Sequence, residues 1–543
     1  MRSGDPPGRG QSIQRSITPP DQNRGWLEER LELKALMRKY GRKAFPVHTT
    51  FFLGEMALFS FIILALTGIY LGFVYVPSNA DVSIEGETLP EAYASVLLIE
   101  SIPVGSLFRN THHWAAHVMI ASILLHLFRI FFTGTYRKPR EVNWVIGVVL
   151  LGLSLMAGFV GYALPYDSYA VVATGIGFSI ARSIPWIGEF AAELFFGGAF
   201  PTLGSLARLY TIHVFIVPAL LAAIMSLHLL LVVKQKHTQP GYARPLSEPG
   251  KVLGVPLIPY QALLAGQLFF LMFGALFLLS AFIPPHPLEE YGPPQPATPD
   301  VKPDWYLLWI YGFLKIIPSW VSFEFLGATI SPNFLGGLLF PALIFGVLTL
   351  APWMDRTNRR VVRRFEYLEP VQQSPIRTAL GIGMLTFLGT LFLAAYYDEI
   401  GMSLVAIWLV VIIAPIVAGA LTAVVLKNRR SGDRFDPQEE REVPVEAARF
   451  IDPNHPLSRA PRPVEPDLRE LRSRDNVVTI LHEMGELASQ VRQTDNANQL
   501  REILDRADQL RESLAESNEE LQDALPAERT PTEENRPSDA RES

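Results

Sequence analysis

Cysteine is absent from all 543 residues. That absence excludes disulfides, thiolate-held iron–sulfur clusters and covalently attached c-type haem. Any cofactor must be held by histidine and noncovalent packing. The first 47 residues are polar, so no cleavable signal peptide is visible. Residues 431–543 lack an apolar stripe long enough for a domain core, and most of the net charge of −6 sits there, where it says little about partners.

Long apolar runs are abundant instead. Eight of them, at 50–76, 112–133, 142–164, 209–233, 263–283, 335–351, 377–395 and 403–426, approach the ~20 residues that cross a bilayer. The sequence therefore reads as an all-α polytopic membrane protein with no nucleic-acid partner. Every second loop is basic: Arg38 to Lys43, Arg137 to Arg140, Lys234 to Lys251, Arg356 to Arg364 and Lys427 to Arg430. The intervening loops are poor in lysine and arginine, which places both termini in the cytoplasm. Residues 24–44 alternate apolar and charged positions at helical spacing, as a membrane-surface helix or a short solvated one would.

The central stretch is RNTHHWAAHVMIASILLHLFR, from Arg109 to Arg129. His112 and His126 are 14 residues apart, so both project from nearly one face, separated by roughly 21 Å of helix rise. A second run holds His213 and His228, 15 residues apart. A single histidine in a membrane helix is ordinarily a packing or hydrogen-bonding residue. Two matched pairs on two helices offer what two stacked six-coordinate haems require. Zinc is the competing metal, but it wants its ligands at one depth. His113 and His117 point elsewhere around the helix and read as structural.

Glycines repeat the same interval. Gly54 and Gly68 in the first run, and Gly147 and Gly161 in the third, are each 14 apart. Glycine lets a bulky planar group approach the backbone, so these pairs point to haem edges wedged against two neighbouring helices. Small residues also serve helix packing, which is the plainer account of any one pair. A proline-rich passage after the fifth run brings Asp304 and Tyr306 to the outer surface, near the depth of His112 and His213. An outward loop after the third run should form short surface helices, and residues 466–524 have helical composition.

Over about residues 45–365 these features resemble the cytochrome b subunit of the quinol:cytochrome c reductases, the cytochrome bc complexes. R-x-x-H at Arg109–His112, H-x-x-R at His126–Arg129, GYALP at 161–165, KPDWY at 302–306 and PNFLGG at 332–337 carry the resemblance together with the glycine pairs. It implies that His112 and His213 hold an outer, low-potential haem b, and His126 and His228 an inner, high-potential one. Arg109, Arg129 and Arg208 would pair with propionates. Asp304, with Tyr306, would take a proton from quinol, and Lys234 and His237 would lie near the inner quinone site. Asp304 stands where the family has glutamate, and PYD at 165–167 replaces its usual P-W-G. The fused halves and long tail look most like actinobacterial forms, which implies menaquinone and association with a terminal cytochrome oxidase.

The expected organisation is a cytoplasmic segment (1–47), a four-helix dihaem bundle (48–235), a cytoplasmic connector (236–262), a second four-helix half (263–430) and a polar tail (431–543). The resemblance implies a homodimeric respiratory complex in the cell membrane. There quinol would be oxidised outside, one electron passing to a Rieske iron–sulfur subunit and on to a cytochrome c subunit. The other would pass through the two haems to quinone inside. Two rivals stand beside it. One is a transporter or membrane anchor with structural or proton-relaying histidines, and the other is a dihaem dehydrogenase anchor that does not bifurcate.

Overall fold

The structure is a computed structural model. It describes residues 26–241, 252–295, 301–355, 358, 367–432, 504–510 and 512–513, except 32, 47, 85, 199 and 203. The expectations for residues 1–25 and for most of the tail lie outside the described residues. The chain divides into two units, 1–441 and 442–543. In the second, 504–510 and 512–513 are helical.

Eight helices are long and apolar enough to cross a membrane: α1 (Thr49–Val74), α2 (Pro103–Phe132), α3 (Glu141–Tyr162), α4 (Ser205–Gln235), α5 (Leu257–Phe282), α6 (Pro332–Met354), α7 (Pro375–Ala394) and α8 (Leu404–Asn428). Within lipid, a helix satisfies its own backbone groups, and this is why runs of this length take that form. Large apolar side chains such as Phe73 and Phe282 remain exposed on their outer faces, as a bilayer requires. The second helix begins at Pro103 rather than near 112. Arg109 and Asn110 interrupt the apolar run but not the helix, which Pro103 starts at a position that needs no donor.

α1 packs along α2, α3 along α4, and α2 meets α3, giving a four-helix bundle. α5 leans on α1 and α2, and α6 on α3. The short helix Leu308–Ile316 joins α7 and α8 around a separate core of Trp309, Ile316, Phe340, Leu391 and Ile407. One buried ion triad ties this half to the bundle. Glu369, ahead of α7, meets Arg137 at 2.7 Å and Arg377 at 2.9 Å.

The expected surface helices are present as Ser168–Arg182 and Gly188–Phe196, and the N-terminal segment forms Trp26–Leu31 and Leu33–Gly41. Three two-stranded pieces were not foreseen in an all-α reading. Strand β1 (Ala44–Phe45) pairs with β4 (Val255–Pro256), and the hairpins β2–β3 (Asp81–Ile84, Glu87–Pro90) and β5–β6 (Phe323–Phe325, Ala328–Ile330) cap loops. A helix at Glu91–Ser101, also unforeseen, leads into α2.

Candidate functional site

The bundle brings the four histidines together as two pairs. The rings of His112 and His213 have centroids 6.1 Å apart. Two imidazoles bound through nitrogen to opposite sides of one metal, each about 2 Å from it, would stand roughly 6 Å apart. His126 and His228, further along the same two helices, lie near enough to interact electrostatically. The unequal spacings, 14 and 15, are reconciled by the backbone. His213 lies in a π-turn, Ile212–Ile216, where Val217 N–H bonds Ile212 C=O five residues back. Pro218 has no N–H to continue the ordinary ladder, and a π-turn absorbs one extra residue. The two helices thereby present their pairs in register.

Each glycine stands against one histidine. A Cβ on Gly68 would lie 3.1 Å from His112 Cε1, on Gly54 3.2 Å from His126 Cε1, on Gly161 2.6 Å from His213 Cε1 and on Gly147 3.7 Å from His228 Cε1. Three of the glycines, Gly54, Gly68 and Gly161, therefore clear space beside the imidazole rings of the expected haem ligands. At the His112–His213 pair, Nδ1 is already occupied: His112 Nδ1 meets Thr67 Oγ1 at 3.0 Å and His213 Nδ1 meets the Ala157 carbonyl at 3.1 Å. A bonded Nδ1 fixes the ring and leaves Nε2 as the ligand atom.

The arginines differ among themselves. Arg129 Nε and Nη2 are buried without a hydrogen-bond partner among the described residues, although the guanidinium sits 4.2 Å over the Phe51 ring. Buried guanidinium donors left open in this way suit an anionic group such as a propionate. Arg109 instead binds Glu100 at 2.6 Å and the His286 carbonyl at 3.2 Å. Arg208 donates to the carbonyls of Glu193 and Leu194, closing the end of helix Gly188–Phe196. Paired imidazoles at two depths, glycine clearances and the open Arg129 donors fit two b haems.

Asp304 and Tyr306 line one cavity with the His112–His213 pair. A cavity of ≈ 440 Å³ runs from His112 and His213 to Asp304 and Tyr306 and includes Tyr162. The Tyr306 hydroxyl donates to Asp304 Oδ2 at 2.9 Å, and a Cβ on Gly158 would crowd that hydroxyl at 2.8 Å. Burial, and then Asp304, push the Tyr306 phenol well above its ordinary range, so it remains a donor. A depression of similar size, lined by Val172, Phe178, Ile180 and Leu314 among others, holds no titratable side chain.

His113 and His117, read as structural, face this chemistry. Their rings stack at 4.9 Å, Trp305 Nε1–H donates to His117 Nδ1 at 3.0 Å, and ligand atoms of both lie within 4.8 Å of one from Asp304. At the opposite end of the bundle, His237 packs on Phe45 at 4.7 Å and Phe51 at 6.0 Å. Burial, then Arg129, Arg140 and Lys43, lower its pKa to about 4. His48 is lowered by burial and Arg129, and Lys234 closes the last turn of α4.

Comparison with known proteins decides the family. The models for cytochrome b(N-terminal)/b6/petB and cytochrome b(C-terminal)/b6/petD match residues 117–293 and 294–409. The cytochrome bc1 complex cytochrome b subunit of Streptomyces coelicolor is 34% identical over 80% of this chain and 83% of its own length. The chain belongs to the cytochrome b family. The corresponding subunit of Mycobacterium leprae is 38% identical over 69% of this chain and 70% of its own, and that of Corynebacterium diphtheriae 35% over 69% and 72%. Such subunits are the core of quinol–cytochrome c oxidoreductases. A solved hyperthermophilic respiratory Complex III shares the fold, with a TM-score of 0.55 and 24% identity over 74% of this chain and 96% of that one.

Proposed function

We propose that this cytochrome b is the dihaem, quinol-bifurcating subunit of a bc1-type complex in the plasma membrane, with both termini cytoplasmic. The observation that carries the reading is one cavity joining an imidazole pair to the Asp304–Tyr306 pair. When bound, two b haems supply a one-electron path between an outer and an inner quinone site. His112 and His213 would hold one, and His126 and His228 the other, with Arg129 donating to a propionate. Asp304 accepts a proton from quinol at the outer site, and Tyr306 holds the carboxylate in place. The chain has no cysteine for a cluster, so one electron leaves to a partner Rieske protein and then to a cytochrome c subunit, and the other takes the haem path. His237 and Lys234 serve the inner site, where His237 is neutral and can accept a hydrogen bond from a quinol hydroxyl. By resemblance to actinobacterial forms alone, the reading extends to menaquinone as the quinone, a homodimeric complex and association with a terminal oxidase.

The test follows the b-haem absorbance of the purified complex supplied with quinol. Adding an oxidant of the iron–sulfur partner should drive the b haems further reduced, because each electron drawn one way sends another the other way. A simple dihaem anchor would show the b haems becoming more oxidised, and that result would reject bifurcation.

A further inference from the structure

The segment that carries Asp304 and Tyr306 is fastened by residues almost a hundred positions further along the chain. It runs from Lys302 through the short helix Leu308–Ile316. Lys302 stands just ahead of Asp304, and its ammonium pairs with Glu399 while lying 5.0 Å over the Tyr396 ring. Lys315 stands at the other end, in the last turn of the short helix. Its Nζ donates to Asp398 Oδ1 at 2.7 Å and to the Ala395 carbonyl at 3.2 Å. Ala395, Tyr396, Asp398 and Glu399 all belong to one turn, the link between α7 and α8.

That turn presents its two carboxylates from adjacent residues. Asp398 Oδ1 also accepts the Glu399 N–H at 3.1 Å, and the Ile400 and Met402 N–H groups bond the Tyr396 and Tyr397 carbonyls. The hydrogen bond from Lys315 holds the Asp398 carboxyl below its ordinary range, so it is charged at neutral pH. Both lysine side chains are largely buried, whereas Asp398 and Glu399 are about half exposed. Exposed pairs of this kind add little to stability. Two of them at the two ends of one segment instead fix where that segment lies. Between them, Gly312 abuts the Leu391 carbonyl of α7 with no room for a Cβ, and Trp408 of α8 donates from Nε1 to the Ile316 carbonyl at 3.0 Å. The cavity side of the segment meets the bundle, where Trp305 donates to His117 and the Tyr306 hydroxyl lies against Gly158.

We propose that Asp398 and Glu399 are positioning residues for quinol oxidation, with the α7–α8 turn clamping residues 302–316 at both ends and so setting where Asp304 and Tyr306 stand in the cavity. The proposal rests on the reading of that cavity as the site of quinol oxidation. The cavity is lined by Asp304 and Tyr306, and the two carboxylates of the turn act on it only through Lys302 and Lys315. A reacting group misplaced by about 1 Å can cost on the order of 100-fold in rate. A clamp remote from the chemistry therefore governs kcat, while the apolar walls that receive the quinol stay as they are.

The test is steady-state quinol oxidation by the intact complex, with charge removal and charge exchange at both pairs. D398N and E399Q keep the size of the side chains and remove the charge. Each should lower kcat about threefold, and the double variant about tenfold or more, with KM little changed and both haems spectrally unaltered. K302E should also lower kcat, and adding E399K should restore it to within about threefold of wild type, because the pair re-forms with its charges exchanged. A part that merely supported the fold would move haem content and KM along with kcat. A wild-type kcat in the haem-replete double variant D398N/E399Q overturns the proposal. If that variant fails to load haem, a K302E rate that is unimpaired, or that E399K does not raise, overturns it. Failure of quinol to reduce the b haems of the unmodified complex would instead overturn the reading of the cavity itself.

Discussion

Gly161 stands against His213 with no room for a methyl group, since a Cβ there would lie 2.6 Å from the ring. The other three glycines stand further from their histidines, at 3.1, 3.2 and 3.7 Å, and this gradation makes a prediction. Overpacking a tight site costs about 1–3 kcal/mol, or roughly 5- to 150-fold in affinity. Gly161→Ala should weaken retention of the outer haem within that range. Gly68→Ala should weaken the same haem less, Gly54→Ala should weaken the haem of His126 and His228 to a similar lesser degree, and Gly147→Ala should hardly affect it. Haem per chain after repeated washing in detergent measures the order.

Asp304 is the carboxylate expected to take a quinol proton. Asp304→Asn should reduce quinol oxidation by about 100-fold or more while leaving both haems bound. Asp304→Glu should retain much of the rate, because it restores the group that the family's motif carries. Tyr306→Phe removes the hydrogen bond at 2.9 Å and should cost several-fold in kcat. Steady-state quinol oxidation with a haem spectrum on each variant checks all three.

His237 titrates at about 4 in the folded protein, against an unfolded value of about 6.5. The unfolded chain therefore binds its proton first as pH falls. Stability should decline between about pH 6.5 and pH 4 by up to roughly 3 kcal/mol from this group. Comparing thermal midpoints of wild type and His237→Asn across that window isolates the contribution, which the variant should lack.

Much of this was legible in the sequence, and the reasons for the remainder differ by residue. Apolar run lengths reveal the eight spans because lipid imposes one solution on them. The spacing of His112 and His126 shows a shared face, but spacing alone cannot say what meets the other faces. His113 and His117 point away from that face and so looked structural. The segment 304–306, nearly two hundred residues later, is what covers them. Lys315 and Asp398 carry no local signal either, as they are paired across 83 residues. The π-turn at His213 could have been suspected from the extra residue between the histidines and from Pro218.

Glu369 holds Arg137 and Arg377, both largely buried, at 2.7 and 2.9 Å. Burial by itself would raise its pKa, but the two guanidinium groups outweigh it and hold the carboxyl below the ordinary range. Glu369→Gln removes the carboxylate that both buried guanidinium groups share, a change that costs about 3–5 kcal/mol. The wild type should lose the same support as pH falls through the lowered carboxyl pKa. Thermal unfolding of the purified protein, read at near-neutral pH, should show the variant clearly less stable.

The central claim is that four histidines hold two b haems at two depths. A pyridine haemochrome count on the purified protein tests it most directly, alongside His126→Ala and His213→Ala. The account predicts two noncovalent b haems per chain in the wild type. Each variant should keep one haem and lose the other, with distinct residual spectra. One haem or none in well-folded wild type, or two in either variant, would contradict it.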